Sequence, residues 1–240
     1  MKDDDMSEEI DLTVVDHAGG RRITPRLQEI LDTAARRFWE KGYDATSVQD
    51  IAGQIGILKG SLYYYIDSKE DLLFGVLEHL HACIIDSVVE DPEQTGDDSL
   101  VRLRAFVERH FVAVADNVEA ALVFYRDFQS LGRERRDEIL AQRDEYAAHL
   151  KRLIAEAQET GLACPDIDPR FAATAMLSAL NSIALWYRPD PESSPWFVAN
   201  SYADFLVGAL ACSPEEHAPG HRRALGAVVR TAHGGDADAP

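Results

Sequence analysis

The sequence predicts an all-α protein with a helix-turn-helix near its N-terminus, and three observations carry that expectation. Apolar residues recur at i, i+3, i+4 and i+7 through almost the whole interior of the 240-residue chain. Glycines and prolines interrupt this pattern where helices would end, and no alternating segment of useful length appears. The length suits one large or two modest domains, able to bury a core without disulfides or metals.

Taken in order, residues 1–20 are polar and acidic, end in Gly19-Gly20 and show no sustained period, which predicts a disordered tail. Leu27, Ile30, Leu31, Ala34, Ala35 and Phe38 then form the stripe of a first helix, with Pro25 in its first turn and Gly42 closing it. Thr46 and Ser47 suit an N-cap, and Gln49 stands three residues after Thr46 in a capping-box pattern. Val48, Ile51, Ala52 and Ile55 form the stripe of a second helix, which Gly56 ends. A third, short segment runs from Lys59 to Tyr65, with Leu62 and either Tyr65 or Ile66 returning to the same core. Further helices are predicted near 69–90, 98–116, 119–131, 133–160, 169–188 and 195–212, separated by Asp91-Pro92, Gly132, Gly161 with Pro165, and Pro189 to Pro195. A flexible tail occupies 213–240, where Ala224 to Val229 is able to form one short helix.

The formal net charge of -18 is unevenly spread. Residues 1–20 hold one Lys against seven acids, whereas residues 21–75 hold eight Lys and Arg against eight acids. The helix-turn-helix is thus the charge-balanced part of an acidic chain, which predicts weak binding to random DNA, since that affinity is mostly phosphate neutralisation. Its exposed residues suit a duplex. Lys59 reaches a phosphate or a guanine edge, Gly60 lets the backbone approach, and Ser61 bonds a base edge or phosphate. Tyr63, Tyr64 and Tyr65 offer hydroxyls and rings, Thr46 and Ser47 a helix start, and Lys69 a phosphate partner beside the Ser68-Lys69-Glu70-Asp71 cap. Arg21, Arg22 and Arg26 form a candidate arm on the backbone or in the minor groove.

The other function classes are poorly supplied. There is no Gly-rich phosphate loop, no His-Glu-x-x-His pattern and no Cys-x-x-Cys pair, so neither a catalytic residue, a metal site nor a cofactor is expected. His79 and Cys83 share a helix face without a second ligand pair, and Pro219 and Gly220 break the spacing of His217 and His221. Three scattered cysteines, Cys83, Cys164 and Cys212, suggest no disulfide framework, and no run approaches a bilayer span; a cytoplasmic protein without membrane contact is expected. A helical protein-interaction adaptor without DNA binding, or a small helical enzyme, stays open as an alternative.

The run Thr46-Ser47-Val48-Gln49-Asp50-Ile51-Ala52, then Gly56, then Lys59-Gly60-Ser61-Leu62-Tyr63-Tyr64, then Ser68-Lys69-Glu70-Asp71-Leu72-Leu73, closely resembles the TetR family of bacterial one-component regulators. Ala35 to Tyr43 also looks like that family's first helix, and the resemblance covers roughly residues 24–75. Leu58 departs from it where a Ser or Thr cap is usual, as do Tyr65 for His and Ile66 for Phe. The resemblance implies a DNA-binding domain at 21–68 and a larger effector-binding and dimerisation domain at 69–212. It also implies a homodimeric repressor of a double-stranded palindromic operator, released when a small molecule enters a cavity in each subunit. Pairing is expected through 169–188 and 195–212, with Met176, Leu180, Ile183, Phe205, Leu206 and Leu210 at the interface; the small-residue run from Ala172 to Ala184 independently permits close helix approach. Phe106, His110, Phe124, Tyr125, Phe128, Tyr146, His149, Asn181 and Trp186 are the candidate effector residues, with Arg126 and Arg188 available to an anionic group. Asn181 to Pro189 resembles family members that sense acyl-CoA thioesters or other lipid and aromatic catabolites. The helix from Lys69 to Glu90 is the expected lever between cavity and reader.

Overall fold

The computed structural model describes residues 24–88, 98–188 and 194–211, and every long element in them is helical. The predicted tails, the Arg21-Arg22 part of the arm, Cys212 and the short helix from Ala224 lie outside the described residues. Helix α1 spans Pro25–Lys41, α2 Val48–Ile55, α3 Lys59–Leu62 and α4 Lys69–Val88. They are followed by α5 Ser99–Asp116, α6 Val118–Asp127, a 3-10 turn Phe128–Ser130 and α7 Arg133–Glu159. The last three are α8 Pro169–Asn181, α9 Ile183–Trp186 and α10 Pro195–Gly208.

Local chemistry sets the first boundaries. The Thr24 hydroxyl accepts the Leu27 N–H at 3.2 Å, Pro25 opens α1, and the Gly42 N–H donates back to the Phe38 carbonyl. The cap of α2 falls one residue later than its sequence pattern suggests. Ser47, not Thr46, is the N-cap; its hydroxyl accepts the Asp50 N–H while the Asp50 carboxylate accepts the Ser47 N–H at 2.9 Å. A carboxylate at N3 is favoured over the Gln49 amide because it also meets the positive end of the helix. Thr46 is instead buried, its hydroxyl donating to the Gly42 and Arg37 carbonyls. Gly56 ends α2 at φ 80°, a left-handed conformation that a side chain rarely adopts. Leu58 provides no side-chain cap for α3, so backbone bonds from Ser61 and Leu62 to the Leu58 carbonyl hold a single turn.

Two predicted helices divide or shorten. The segment 169–188 breaks at Ser182, where the Ala179 carbonyl accepts both the Ser182 and the Tyr202 hydroxyls, the side-chain competition that disfavours a continuous helix. Helix α10 stops at Gly208 because the Leu210 carbonyl turns to accept the Cys164 N–H at 2.8 Å and Ala211 bridges Ala163.

Two apolar clusters organise the chain. One joins Ile30, Phe38, Ile51 and Leu62 of the first three helices to Leu72 and Leu77 of α4, and to Val123, Leu131 and Ile139 from the α6–α7 corner. Ile66, rather than Tyr65, closes its lower edge. The other cluster packs α5, α7, α8 and α10 around Leu103, Phe111, Leu150 and Leu180. Helices α4 and α6 contribute to both, and Phe124 of α6 packs against each.

Candidate DNA-reading surface and effector cavity

Leu62 and Ile66 anchor α3 from below, and that fixes what faces outward. Lys59 and Gly60 are exposed, Tyr64 is 90% exposed, and Tyr63 and Tyr65 stand partly clear of the surface. Ser61 is half-buried, and the Lys59 ammonium lies 5.9 Å from the Tyr63 ring centre. A Cβ on Gly60 would meet no protein atom within 4 Å, so the backbone there borders open space. Ser47 stands exposed at the start of α2, its hydroxyl and N–H donating to Asp50 and holding that carboxyl below its usual range.

Three other residues of the expected surface are placed differently. Thr46 is internal and cannot reach a duplex. The Lys69 ammonium donates to the Tyr43 carbonyl at 3.0 Å and sits 4.2 Å from the Tyr43 ring, which ties α4 to the turn after α1. Arg26 pairs with Glu29 on its own helix. Leu58, which makes no side-chain cap bond, is by contrast 78% exposed beside the α3 start.

Behind the reader lies a cavity of about 660 Å³ framed by α4, α5, α6, α7 and α8. His110, Phe124, Tyr125, Tyr146 and Asn181 line it as expected. The other candidates fall short of it. Phe106 is buried behind Tyr146, 5.0 Å between ring centres; Phe128 stacks on Phe124 at 4.9 Å, on the reader core; and His149 lies 6.0 Å from Phe106, its Nδ1 accepting from Arg152. Trp186 stacks on Tyr202 and Phe111 beside α10. Arg126 and Arg188 are likewise engaged with backbone carbonyls, of Phe38 and Trp39 and of Tyr187 respectively. His81, Arg143, Thr174 and Ser178 line the cavity without having been singled out in the sequence. His81 was legible: Leu77, Leu80, His81 and Ile84 share one face of α4 at i, i+3, i+4 and i+7.

Burial dominates the electrostatics here. It lowers His81 to about 4, assisted by Arg143, and His110 to about 3, assisted by His81; it raises the Tyr146 hydroxyl well above its ordinary value. Both imidazoles are therefore neutral near pH 7. As pH falls, the unfolded chain takes up these protons first, near pH 6.5, so stability is full above that value and is lost from there down to about pH 4 for His81 and about pH 3 for His110. The melting temperature should fall between about pH 6.5 and about pH 4.5, and fall less in His110→Gln. A flat profile would show that neither ring is held neutral.

Cys83 lies 3.5 Å from the His79 Nε2 on the outer part of α4, but burial pushes its thiol up to about 11, with Asp86 and Asp32 adding to it. It is an inert side chain rather than a nucleophile. Among the described residues no group of three or more metal-ligating side chains occurs.

The cavity and the reader meet at α6. Phe124 lines the cavity, and two residues on Arg126 donates to the Phe38 and Trp39 carbonyls at the end of α1 while pairing with Asp127 at 2.8 Å. One turn into α7, Arg135 pairs with Asp71 at the start of α4 and covers the Phe74 ring at 5.2 Å, and the Gly132 N–H donates to Glu70. The end of α1 and the start of α4 are thus both held by the corner that walls the cavity.

The expected interface residues are largely internal. Met176, Leu180, Ile183, Leu206 and Leu210 are all buried within the subunit core, because Ala172, Ala173, Met176 and Leu180 of α8 face α5 and α7, while Ala175 of the same run is exposed. Of the six, Phe205 alone is well exposed, at 72%. It shares its face of α10 with Phe197, 73% exposed, while Phe171 at the start of α8 is 71% exposed.

Residues 30–76 match the family model for bacterial regulatory proteins of the tetR family, and residues 96–210 match a tetracyclin repressor-like C-terminal domain. The chain is 31% identical to the HTH-type transcriptional repressor KstR2 of Rhodococcus jostii, over 78% of its own length and 91% of that protein's. Its fold is similar to that of PfmR, a TetR family transcriptional regulator from Thermus thermophilus, at TM-score 0.65 and 32% identity, covering 75% of this chain and 97% of that one. It is also similar to AibR, solved with isovaleryl coenzyme A and operator DNA, at TM-score 0.63 and 28% identity, covering 77% and 97%.

Proposed function

The chain belongs to the TetR family of bacterial transcriptional regulators, and from that footing we propose that it is a repressor which holds a palindromic operator as a homodimer and releases it when a small apolar or acyl-CoA-like molecule fills the cavity. The observation that carries this reading is the double role of α6. One helix walls the cavity with Phe124 and, one half-turn later, grips the end of α1 through Arg126. A ligand that moves Phe124 therefore moves the platform on which α3 rests. The effect needs only a difference in affinity between the two arrangements.

In this account α3 enters the major groove with Leu58, Lys59, Gly60, Ser61, Tyr63 and Tyr64, and Ser47 and Tyr65 flank it. Lys69 positions the reader from behind by tying α4 to the turn after α1. Residues 21–68 supply the reading unit, and residues 69–212 the effector-binding and dimerising body. Phe171, Phe197 and Phe205 supply the apolar pairing face, and two copies set their α3 helices one DNA turn apart, about 34 Å. No helix among the described residues is long and apolar enough to cross a membrane, and a DNA partner puts the protein in the cytoplasm.

The reading is tested by a mobility shift with the DNA flanking the protein's own gene. A retarded complex at low salt is expected, released by compounds that also raise the melting temperature; no complex at low salt would overturn it. The α6 link makes its own prediction. Arg126→Ala should leave ligand affinity within about twofold yet raise the ligand concentration needed to release DNA at least about fivefold, because coupling energies of this kind are about 1–3 kcal/mol. Unchanged release by that variant would place the link elsewhere.

A further inference from the structure

One hydrogen-bonding atom of a side chain that lines the cavity has no partner among the described residues. The His110 ring lines the cavity, its Nδ1 lies 2.7 Å from the Tyr146 hydroxyl, and its buried Nε2 has no hydrogen-bond partner among the described residues. The pair with Tyr146 fixes where the imidazole hydrogen sits. Burial keeps the phenol protonated, and among the described residues His110 is the partner its hydroxyl has. An O–H donated to Nδ1 uses that hydrogen and leaves the single hydrogen of the neutral ring on Nε2. The opposite arrangement would strand two groups, the hydroxyl hydrogen and the Nε2 lone pair.

We infer that the His110 Nε2–H is the recognition donor of the cavity and that the effector is an apolar molecule bearing an uncharged carbonyl oxygen, as ketones and thioesters do. The inference rests on reading the cavity as the effector site. Leu80, Ile84, Val114, Phe124 and Leu177 make the wall largely apolar, so a hydrocarbon body fits it. A carboxylate taken to a neutral donor there would lose its hydration without a matching charge, whereas a carbonyl loses little and satisfies the stranded hydrogen. Arg143, the cation of the lining, lies 5.1 Å from the Phe124 ring centre, and the Asp144 carboxylate of the same lining offsets its charge.

The test uses full-length protein with nitrogen-15-labelled histidine and two probes of equal shape, cyclohexanone and methylenecyclohexane. In the free protein the His110 Nε2 should carry the hydrogen and Nδ1 should be bare; the reverse tautomer overturns the inference. Cyclohexanone should bind about fivefold more tightly than the hydrocarbon and shift the Nε2 resonance, a preference of the size one net hydrogen bond supplies. His110→Phe should erase the preference and His110→Gln, which keeps an N–H donor, should retain part of it. If either variant fails to fold, the wild-type resonance still decides. Equal binding with Nε2 unmoved sinks this inference and leaves the effector cavity intact, while exclusion of both probes sinks the two together. Isovaleryl coenzyme A and the polycyclic ketone progesterone then separate the sources of the carbonyl. A shift from the first alone assigns a thioester and from the second alone a ketone; a shift from neither, with cyclohexanone engaged, keeps the carbonyl donor and excludes both carriers.

Discussion

Lys59→Ala and Tyr64→Ala each weaken operator binding by roughly tenfold or more, with dimerisation and melting temperature unchanged, as fits the loss of one specific contact worth about 1–3 kcal/mol. Neither side chain supports the fold. Tyr64 is 90% exposed, and Lys59 is exposed with its ammonium 5.9 Å from the Tyr63 ring centre. The two variants should differ in their response to salt. The charge of Lys59 displaces a counterion on binding, so its loss from both subunits lowers the slope of log affinity against log salt by about 1.8, at about 0.9 per contact, whereas loss of the uncharged Tyr64 leaves the slope alone. Fluorescence anisotropy over a range of salt concentrations measures both effects. Normal affinity in both variants would mean that α3 does not enter the groove.

Phe197→Glu combined with Phe205→Glu has the larger consequence: a monomer, and a loss of operator affinity of more than about a hundredfold. The two rings share one face of α10 and are 73% and 72% exposed in the single subunit, an apolar surface that single chains rarely leave in water. In a two-fold pair each ring occurs twice, so four are buried at about 1.5–3 kcal/mol apiece, and the substitutions set four carboxylates in their place. Sedimentation at micromolar concentration reads the dimer directly. Met176→Ala serves as the contrast, because Met176 is buried inside the subunit: it should lower stability by about 2–5 kcal/mol without producing folded monomers. A dimer that survives the double glutamate variant would refute the α10 face.

The helices were legible because their signals are local. Pro25, Gly42 and Gly56 mark ends that the backbone itself demands, and the apolar stripes of α1 and α2 are buried as their periods predict. Where two local signals overlapped, sequence could not rank them. Thr46 and Ser47 both precede a polar residue at the third position, and the choice fell to Ser47 because Asp50 offers charge and because Thr46 has carbonyls of α1 to satisfy it. The surface of α3 followed from Leu62 and Ile66, since two buried anchors around a single turn fix which residues face out.

The cavity and the interface depend on contacts between distant helices, and there the sequence spoke less clearly. Five of the nine expected effector residues line the cavity; Phe128 and Trp186 have the right chemistry but their helices turn them toward the reader core and toward α10. The stripe from Ala172 to Ala184 permits close packing, but nothing in its own sequence says whether the close neighbour is α5 of the same subunit or a helix of another copy. Arg126 stood out as a possible anion partner, and its carbonyl partners, 87 and 88 residues away, were invisible to any local pattern.

Hydroxyl-radical footprinting of the full-length protein on the DNA flanking its own gene tests the central claim most directly. A two-fold dimer reading through α3 predicts two protected patches on one face of the duplex, about one helical turn apart and related by an inverted repeat, both lost in Lys59→Ala with Tyr64→Ala. Absence of protection at low salt, or a single unpaired patch that persists in that double variant, would contradict it.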